Sequence, residues 1–289
     1  MKKLVAFLCF ITLSILAVST TTIFADSYIY NHFGEIVPIV PPYSFERVIA
    51  KKDLINPDTS RRPLRFEMIA DVHVGNDYIY IVDSGDGGVF GQIIVLDKDY
   101  QYICSISNIY NEDGEQVMVQ KVTETGLKEP VQLSLSGGSP TSVYETENNK
   151  LYIALQNGQR IVVLDTSHFI ENKFGEPTFP YIENFTKPAN LIGATGFEPY
   201  KIVVDRAERM YVVVESGREG MLELNADGSF SRYYGTNPPD VNLIDFFWRQ
   251  FMSDIQLEQV DRIYAPPFSG IAIDKDEIGR ASCRERVFR

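Results

Sequence analysis

Apolar and polar positions along this chain follow a strand pattern that repeats. Residues 77–97 read DYIYIVDSGDGGVFGQIIVLD, 150–165 read KLYIALQNGQRIVVLD, and 209–225 read RMYVVVESGREGMLELN. Each is a β-rich run with an aromatic near its start, a turn containing glycine, and a second β-rich run ending in Asp or Asn. A further short strand precedes each: 68–74, 142–146 and 201–205. Read as four-stranded units, the first copy predicts strands at 68–74, 78–83, 92–97 and 101–107. The second predicts 142–146, 150–155, 160–165 and 179–186; the third 200–205, 210–215, 220–225 and 229–235. Short turns such as Gly75-Asn76-Asp77 and Asp227-Gly228 fit antiparallel connections. A fourth copy opens at 270–274, GIAID. Even, repeated antiparallel units of this kind predict an all-β fold, a β-propeller of four-stranded blades, here about three and a half of them.

The two ends read differently. Lys2 and Lys3, the apolar run Leu4 to Val18 and the small-residue site at Ala25 have the form of a signal peptide over 1–25. The apolar run is short of the roughly 20 residues a spanning helix needs. Residues 26–65 form an N-terminal extension before the propeller region, 66–276. At the other end, Glu277 to Phe288, EIGRASCRERVF, resembles an in-frame translation of a short-read sequencing adapter. Residues 277–289 are therefore expected to be a non-native tail, with the repeat cut off near Asp276. If the locus is resequenced, this reading expects more repeats in frame after Asp276; a genomic EIGRASCRERV would end it.

Charge narrows the partners. The whole chain carries 27 Lys and Arg against 39 Asp and Glu, a net −12. Leaving out two Lys in the leader, and four Arg and two Glu in the tail, brings it to −16. Such a chain repels phosphate backbones, so nucleic acid is not an expected partner, and there is no polybasic segment for an anionic membrane. Of the three cysteines, Cys9 lies in the leader and Cys283 in the tail. Cys104 alone remains, which excludes an intrachain disulfide and reads as a small core hydrophobe. Secretion to the medium or the cell surface is the expected localisation.

The repeats resemble the NHL-repeat propellers. The likeness rests on Ile79-Tyr80-Ile81-Val82-Asp83-Ser84-Gly85 with Val95-Leu96-Asp97, and on Leu151-Tyr152-Ile153-Ala154 with Arg160-Ile161-Val162-Val163-Leu164-Asp165. Met210-Tyr211-Val212-Val213 with Glu215-Ser216-Gly217 is a looser copy. It covers roughly 66–276 and implies a ring of about six blades. Tyr43 to Ile49 and Asp245 to Arg249 further resemble secreted bacterial NHL proteins of the Firmicutes type, a likeness that brings no activity with it.

In such a fold the loop between the second and third strands shares one face with the blade-to-blade connections. The sequence reading places Ser84 to Gln92 there, with insertions within 108–140, 166–199 and 236–269. The third insertion predicts helices near 243–252 and 254–262, the first carrying Trp248. Candidate ligand-binding residues are Asp83, Ser84, Asp86, Glu215, Ser216 and Trp248; no catalytic residue is assigned. Ser84 to Gly88 lacks the Lys-Ser/Thr and following helix of a phosphate loop, and Asp83 reads first as a turn former. No cofactor is expected. The alternative is Ca²⁺ or another divalent cation on Asp83, Asp86, Asp205 and Glu215, which would need six to eight converging oxygens. His32, His73 and His168 are scattered, unlike the several channel histidines that hold zinc in propeller lyases.

Three functions follow from these expectations. The first is a binding module presenting its loop-rich face to a peptide, glycan or protein. The second is a metal-dependent lactone or sugar-ester hydrolase of the gluconolactonase-like kind. The third is a structural cell-surface domain.

Overall fold

The computed structural model describes residues 28–30, 36–38, 47–49, 66–86, 89–122, 128–191, 197–214, 220–234, 268–273 and 279–283. Two units divide the chain, Met1–Val48 and Ile49–Arg289. In the first, β1 (Tyr28–Tyr30) pairs antiparallel with β2 (Ile36–Pro38). The predicted signal segment, the helices near 243–262 and the residues Glu215, Ser216 and Trp248 lie outside the described residues.

The second unit is all-β among its described residues, and its main elements are three four-stranded antiparallel meanders, compatible with part of a β-propeller. The first sheet runs β3 (Ile69–Val74), β4 (Tyr78–Asp83), β5 (Gln92–Asp97) and β6 (Tyr102–Ile106). A ribbon of β7 (Met118–Val122) and β8 (Lys128–Gln132) follows. The second sheet contains β9 (Pro140–Glu145), β10 (Lys150–Leu155) and β11 (Arg160–Asp165). After a small pair, β12 (Ile170–Glu171) with β13 (Pro177–Thr178), it is completed by β14 (Tyr181–Thr186). The third sheet is β15 (Pro199–Val204), β16 (Met210–Val214), β17 (Met221–Leu224) and β18 (Phe230–Tyr234). Finally β19 (Phe268–Ile273) pairs with β20 (Gly279–Cys283). The twelve predicted strands of the three copies fall on these elements to within about two residues, the scatter normal for element ends.

The middle strands are apolar without alternation, and the second sheet is covered on both sides by its neighbours. In β10, Leu151, Ile153 and Leu155 share a core with Tyr80, Val82, Ile93 and Val95 of the first sheet. The intervening Tyr152 and Ala154 share another with Ile202, Val204, Met210 and Val212 of the third. Period-two geometry thus sends one strand's side chains into two different neighbours. The first strands line up in turn: β3 lies against β9, β9 against β15, and β15 against β19.

The first strand of each four-stranded sheet, and β19 of the β19–β20 pair, carries the same irregularity. Pairing slips by one residue between Ile69 and Asp71, between Pro140 and Ser142, between Pro199 and Lys201, and between Phe268 and Gly270. A bulge of this kind leaves one residue, here Ala70, Thr141, Tyr200 or Ser269, outside the ladder. It also puts Asp71, Ser142, Lys201 and Gly270 at one equivalent position. Counting onward, Val72, Val143 and Ile202 match, as do Val74, Glu145 and Val204. Val143, Ile202 and Val204 are buried against the preceding sheet, whereas Val72 and Val74 of the first sheet are exposed. The tail that the sequence reading set aside supplies β20, in the register of a second strand; a backbone ladder asks for no particular side chains.

Glu145 is a buried carboxylate at a position that is aliphatic in the neighbouring repeats. The fold satisfies it across the junction of the first two sheets. Its Oε2 accepts the Asn76 N–H at 2.7 Å, and its Oε1 accepts the Thr166 hydroxyl. Gly75 makes room for it: a Cβ there would stand 1.7 Å from Oε2 and 2.8 Å from the Tyr80 ring. Gly75→Ala is therefore expected to lower stability by about 1–3 kcal/mol through overpacking. Chemical denaturation of the variant against the parent measures it; an unchanged midpoint would show that the junction yields freely.

Candidate functional site

The first strands of four sheets border an open cavity of about 370 Å³. It is lined by Asp71, Val72 and His73 of β3, Ser142 to Tyr144 of β9, Lys201 to Val203 of β15, and Gly270 to Ile273 of β19. Near one end sits a polar network built from the positions that follow the bulges. The Lys201 ammonium lies 3.1 Å from Asp71 Oδ1 and donates to the carbonyls of Ala70 at 3.1 Å and Thr141 at 3.4 Å. Asp71 Oδ2 accepts the Ser142 hydroxyl at 2.6 Å. One carboxylate, one hydroxyl and one ammonium thus come from three consecutive sheets. Bulged residues leave the regular ladder, which frees the Ala70 and Thr141 carbonyls for the lysine. Lys201 also lies 5.7 Å from the centre of the Tyr200 ring.

Further along the cavity, His73 Nε2 accepts the Glu145 N–H at 3.1 Å, and its ring lies 5.1 Å from that of Tyr144. Burial lowers the His73 pKa below its usual value, outweighing the nearby Glu145 and Asp71 charges. The imidazole is therefore held neutral, with its proton on Nδ1. Cys104 is buried in the core and burial pushes its thiol up to about 12, which makes it an inert core residue rather than a nucleophile.

The strand ends fix which connections share a face. Ile69 pairs with Asp83, Asp83 with Gln92, and Ile93 with Ile106, so the start of β3, the β4–β5 loop and the exit of β6 lie together. At this end are the loop at 84–91 and the sheet-to-sheet connections; Asp71, Ser142 and Lys201 stand just inside it. One predicted insertion is placed differently. Asp165 pairs with Lys150 and Leu155 with Arg160, so the part at 166–180, which joins the third and fourth strands, emerges at the opposite end. Part of the insertion at 108–140 is also core rather than loop. Ile109, Leu133 and Leu135 are buried with the first and second sheets, and Tyr181 N–H donates to the Tyr110 carbonyl.

The predicted site residues that are described fall into two groups. Asp83 and Ser84 are buried and engaged by the fold itself. Asp83 Oδ1 accepts Met68 and Gly85 N–H at 2.9 and 3.1 Å; Oδ2 accepts Glu67 N–H at 3.0 Å and the Gln92 amide at 3.4 Å. Ser84 donates to the Pro140 carbonyl at 2.6 Å, tying the first sheet to the second. Asp86 is exposed and bridges to Val89 across the turn. Beyond it, Val89 and Phe90 are 52% and 54% exposed, and Phe90 has φ +67°. For an aromatic residue that backbone conformation is rare and costs about 1 kcal/mol or more. Asp205, a candidate metal ligand, lies at the far end of the third sheet. It caps a turn through Ala207 and Arg209 N–H at 2.9 Å each and pairs with the Arg209 guanidinium at 2.7 Å. Asp83 and Asp205 therefore stand at opposite ends of their sheets, and no three His, Cys, Asp or Glu converge among the described residues.

Asp71, Ser142, Lys201 and Phe90 were not singled out as site residues from the sequence. The signal for the first three was present: DVHVG, SVYET, KIVVD and GIAID align without gaps, with Asp71, Ser142, Lys201 and Gly270 in the first column.

No protein-family model and no curated relative matches the chain. Among solved structures, it is similar to the hydrazine synthase of Kuenenia stuttgartiensis at 10% identity and TM-score 0.35, over 64% of this chain and 41% of that one. It is similar to the virginiamycin B lyase of Staphylococcus aureus at 14% identity and TM-score 0.29, over 74% and 63%. A Bacteroides thetaiotaomicron protein of unknown function shares 13% identity at TM-score 0.34, over 86% and 62%. The chain thus spans less than two thirds of the length of each of these proteins. The lyase and the Bacteroides protein are β-propeller-like, at low identity.

Two outcomes are expected from these contacts. Asp83→Ala leaves three backbone N–H groups without their acceptor and lowers stability by about 3 kcal/mol or more, read by denaturant melts. For His73, the unfolded chain takes up a proton as pH falls below about 6.5, while the native form resists until its own lower pKa. Its contribution is therefore complete above about pH 6.5 and is lost as pH falls through the folded value. Melting temperature against pH, compared between parent and His73→Gln, reads this arm; identical acid slopes would remove the assignment.

Proposed function

We propose that this chain is part of a secreted NHL-type propeller that acts as a binding module, taking a peptide, glycan or protein ligand at the end where the β4–β5 loop and the sheet-to-sheet connections meet. The observation that carries this reading is the turn at Asp86 to Phe90. It presents two large apolar side chains to solvent, and its backbone holds an aromatic residue at positive φ. Gly85 at φ +71° and Gly91 allow the turn's close approach to its neighbours; a Cβ on Gly91 would stand 2.6 Å from Pro140 Cδ. Exposed aromatic and aliphatic groups are the usual anchors of a recognition surface. Strain retained in a surface turn points the same way.

The loop-end reading extends to Glu215, Ser216 and the segment carrying Trp248, which the sequence places in connections of the same kind. Two of the carboxylates considered for a metal-dependent hydrolase, Asp83 and Asp205, are spent on backbone turns at opposite ends of their sheets. Export of the mature protein is part of the proposal and rests on the leader-like residues 1–25.

The test is a glycan array and a peptide library probed with the purified protein and with a Val89→Ser, Phe90→Ala double variant. A ligand bound by the parent and weakened about tenfold or more by the variant, at unchanged melting temperature, supports the loop end as the site. Ligands retained by the variant move the site elsewhere. Metal-dependent turnover of lactones with no ligand on either array would favour the hydrolase.

A further inference from the structure

The four equivalent positions in the cavity differ in a complementary way. The first sheet offers a carboxylate at Asp71, the second a hydroxyl at Ser142, the third an ammonium at Lys201, and the fourth, at Gly270, no side chain. Three oxygens surround the ammonium: Asp71 Oδ1, the Ala70 carbonyl and the Thr141 carbonyl, at 3.1, 3.1 and 3.4 Å. A lysine ammonium has three N–H donors, so the three acceptors can use all of them. The cage is drawn from two sheets and the cation from a third. Its carbonyls are available because the repeat places a bulge at Ala70 and Thr141.

We propose that this cage is a cation site filled by the chain itself: Lys201 is a tethered ammonium that occupies the oxygen cage in the channel, joins three consecutive sheets, and keeps a metal ion out. The N···O distances are those of an ammonium donating to hydrogen-bond acceptors. Charge argues the same way. The Lys201 and Asp71 side chains are only 14% and 25% exposed, so each needs the other inside the channel. The ammonium stands among the three oxygens, and its positive charge repels a second cation there. This inference is independent of the loop-end binding reading.

The test is chemical rescue in the full chain. Lys201→Ala removes both stem and charge, leaving a space that methylammonium can enter. Lys201→Met keeps the aliphatic stem, removes the charge and leaves no such space. Both variants are expected to melt below the parent. Methylammonium is expected to restore at least half of the lost melting temperature of Lys201→Ala, with no comparable gain for Lys201→Met or the parent. Tetramethylammonium, which has no N–H to donate, restores nothing. If Lys201→Ala does not fold unaided, refolding yield in methylammonium against tetramethylammonium gives the same comparison. Equal effects of the two ions would overturn the proposal, as would Lys201→Met as stable as the parent. So would calcium that raises the melting temperature of the parent but not of Asp71→Asn, because the cage would then admit a metal beside the lysine.

Discussion

Strand β10 has apolar side chains on both of its faces, and a single sheet can cover neither. Leu151, Ile153 and Leu155 need a neighbour on one side; Tyr152 and Ala154 need another on the opposite side. At about 25 cal/mol per Å² of apolar surface, leaving either face in water would cost a few kcal/mol, a sizeable part of a domain's net stability. The rest of the second unit follows from this requirement. Sheets stack face to face, their first strands come side by side, and a cavity forms where those strands meet. The same requirement explains Val72 and Val74, which occupy covered repeat positions and yet stand exposed on the first sheet.

Once the first strands are side by side, their bulges fall at one level. A bulge in one isolated sheet would only bend an edge. Repeated in register, it frees carbonyls facing a common space and aims one side chain per sheet toward it. That is how Asp71, Ser142 and Lys201, separated by some 60 to 70 residues in sequence, come to share hydrogen bonds. The junction around Glu145 shows the same economy. A carboxylate replaces an aliphatic residue of the repeat, and Gly75, Asn76 and Thr166 adapt to it. Polar residues in this molecule thus connect sheets, while apolar residues fill the space between them.

Much of this was legible in the sequence, because strand periodicity and turn chemistry are local. The strands at 78–83, 92–97, 150–155 and 160–165 coincide with the observed elements, and Asp83 acts as the turn former its position implied. The site was less legible. Asp83 and Ser84 look like binding residues in a glycine-rich loop, but both side chains are turned to the protein's own backbone. The insertion within 166–199 is expected at the loop end as a connection between blades; its part at 166–180 joins the third and fourth strands of one sheet, and strand order places that part opposite. Phe90 carried no sequence signal beyond a glycine-rich surrounding.

By itself, the sequence determined the class of secondary structure, the repeat unit and its boundaries, since alternation, β-branched runs and glycine turns act over a few residues. It also determined that Cys104 is the single cysteine within residues 26–276, a matter of counting. The tertiary structure alone decided which repeat positions meet. Lys201 is an ordinary strand residue until its sheet is packed beside two others; only then do Asp71 and the Ala70 and Thr141 carbonyls surround it. Its partners are set by distance in space, which sequence spacing does not encode, and by bulges whose effect depends on being aligned across sheets.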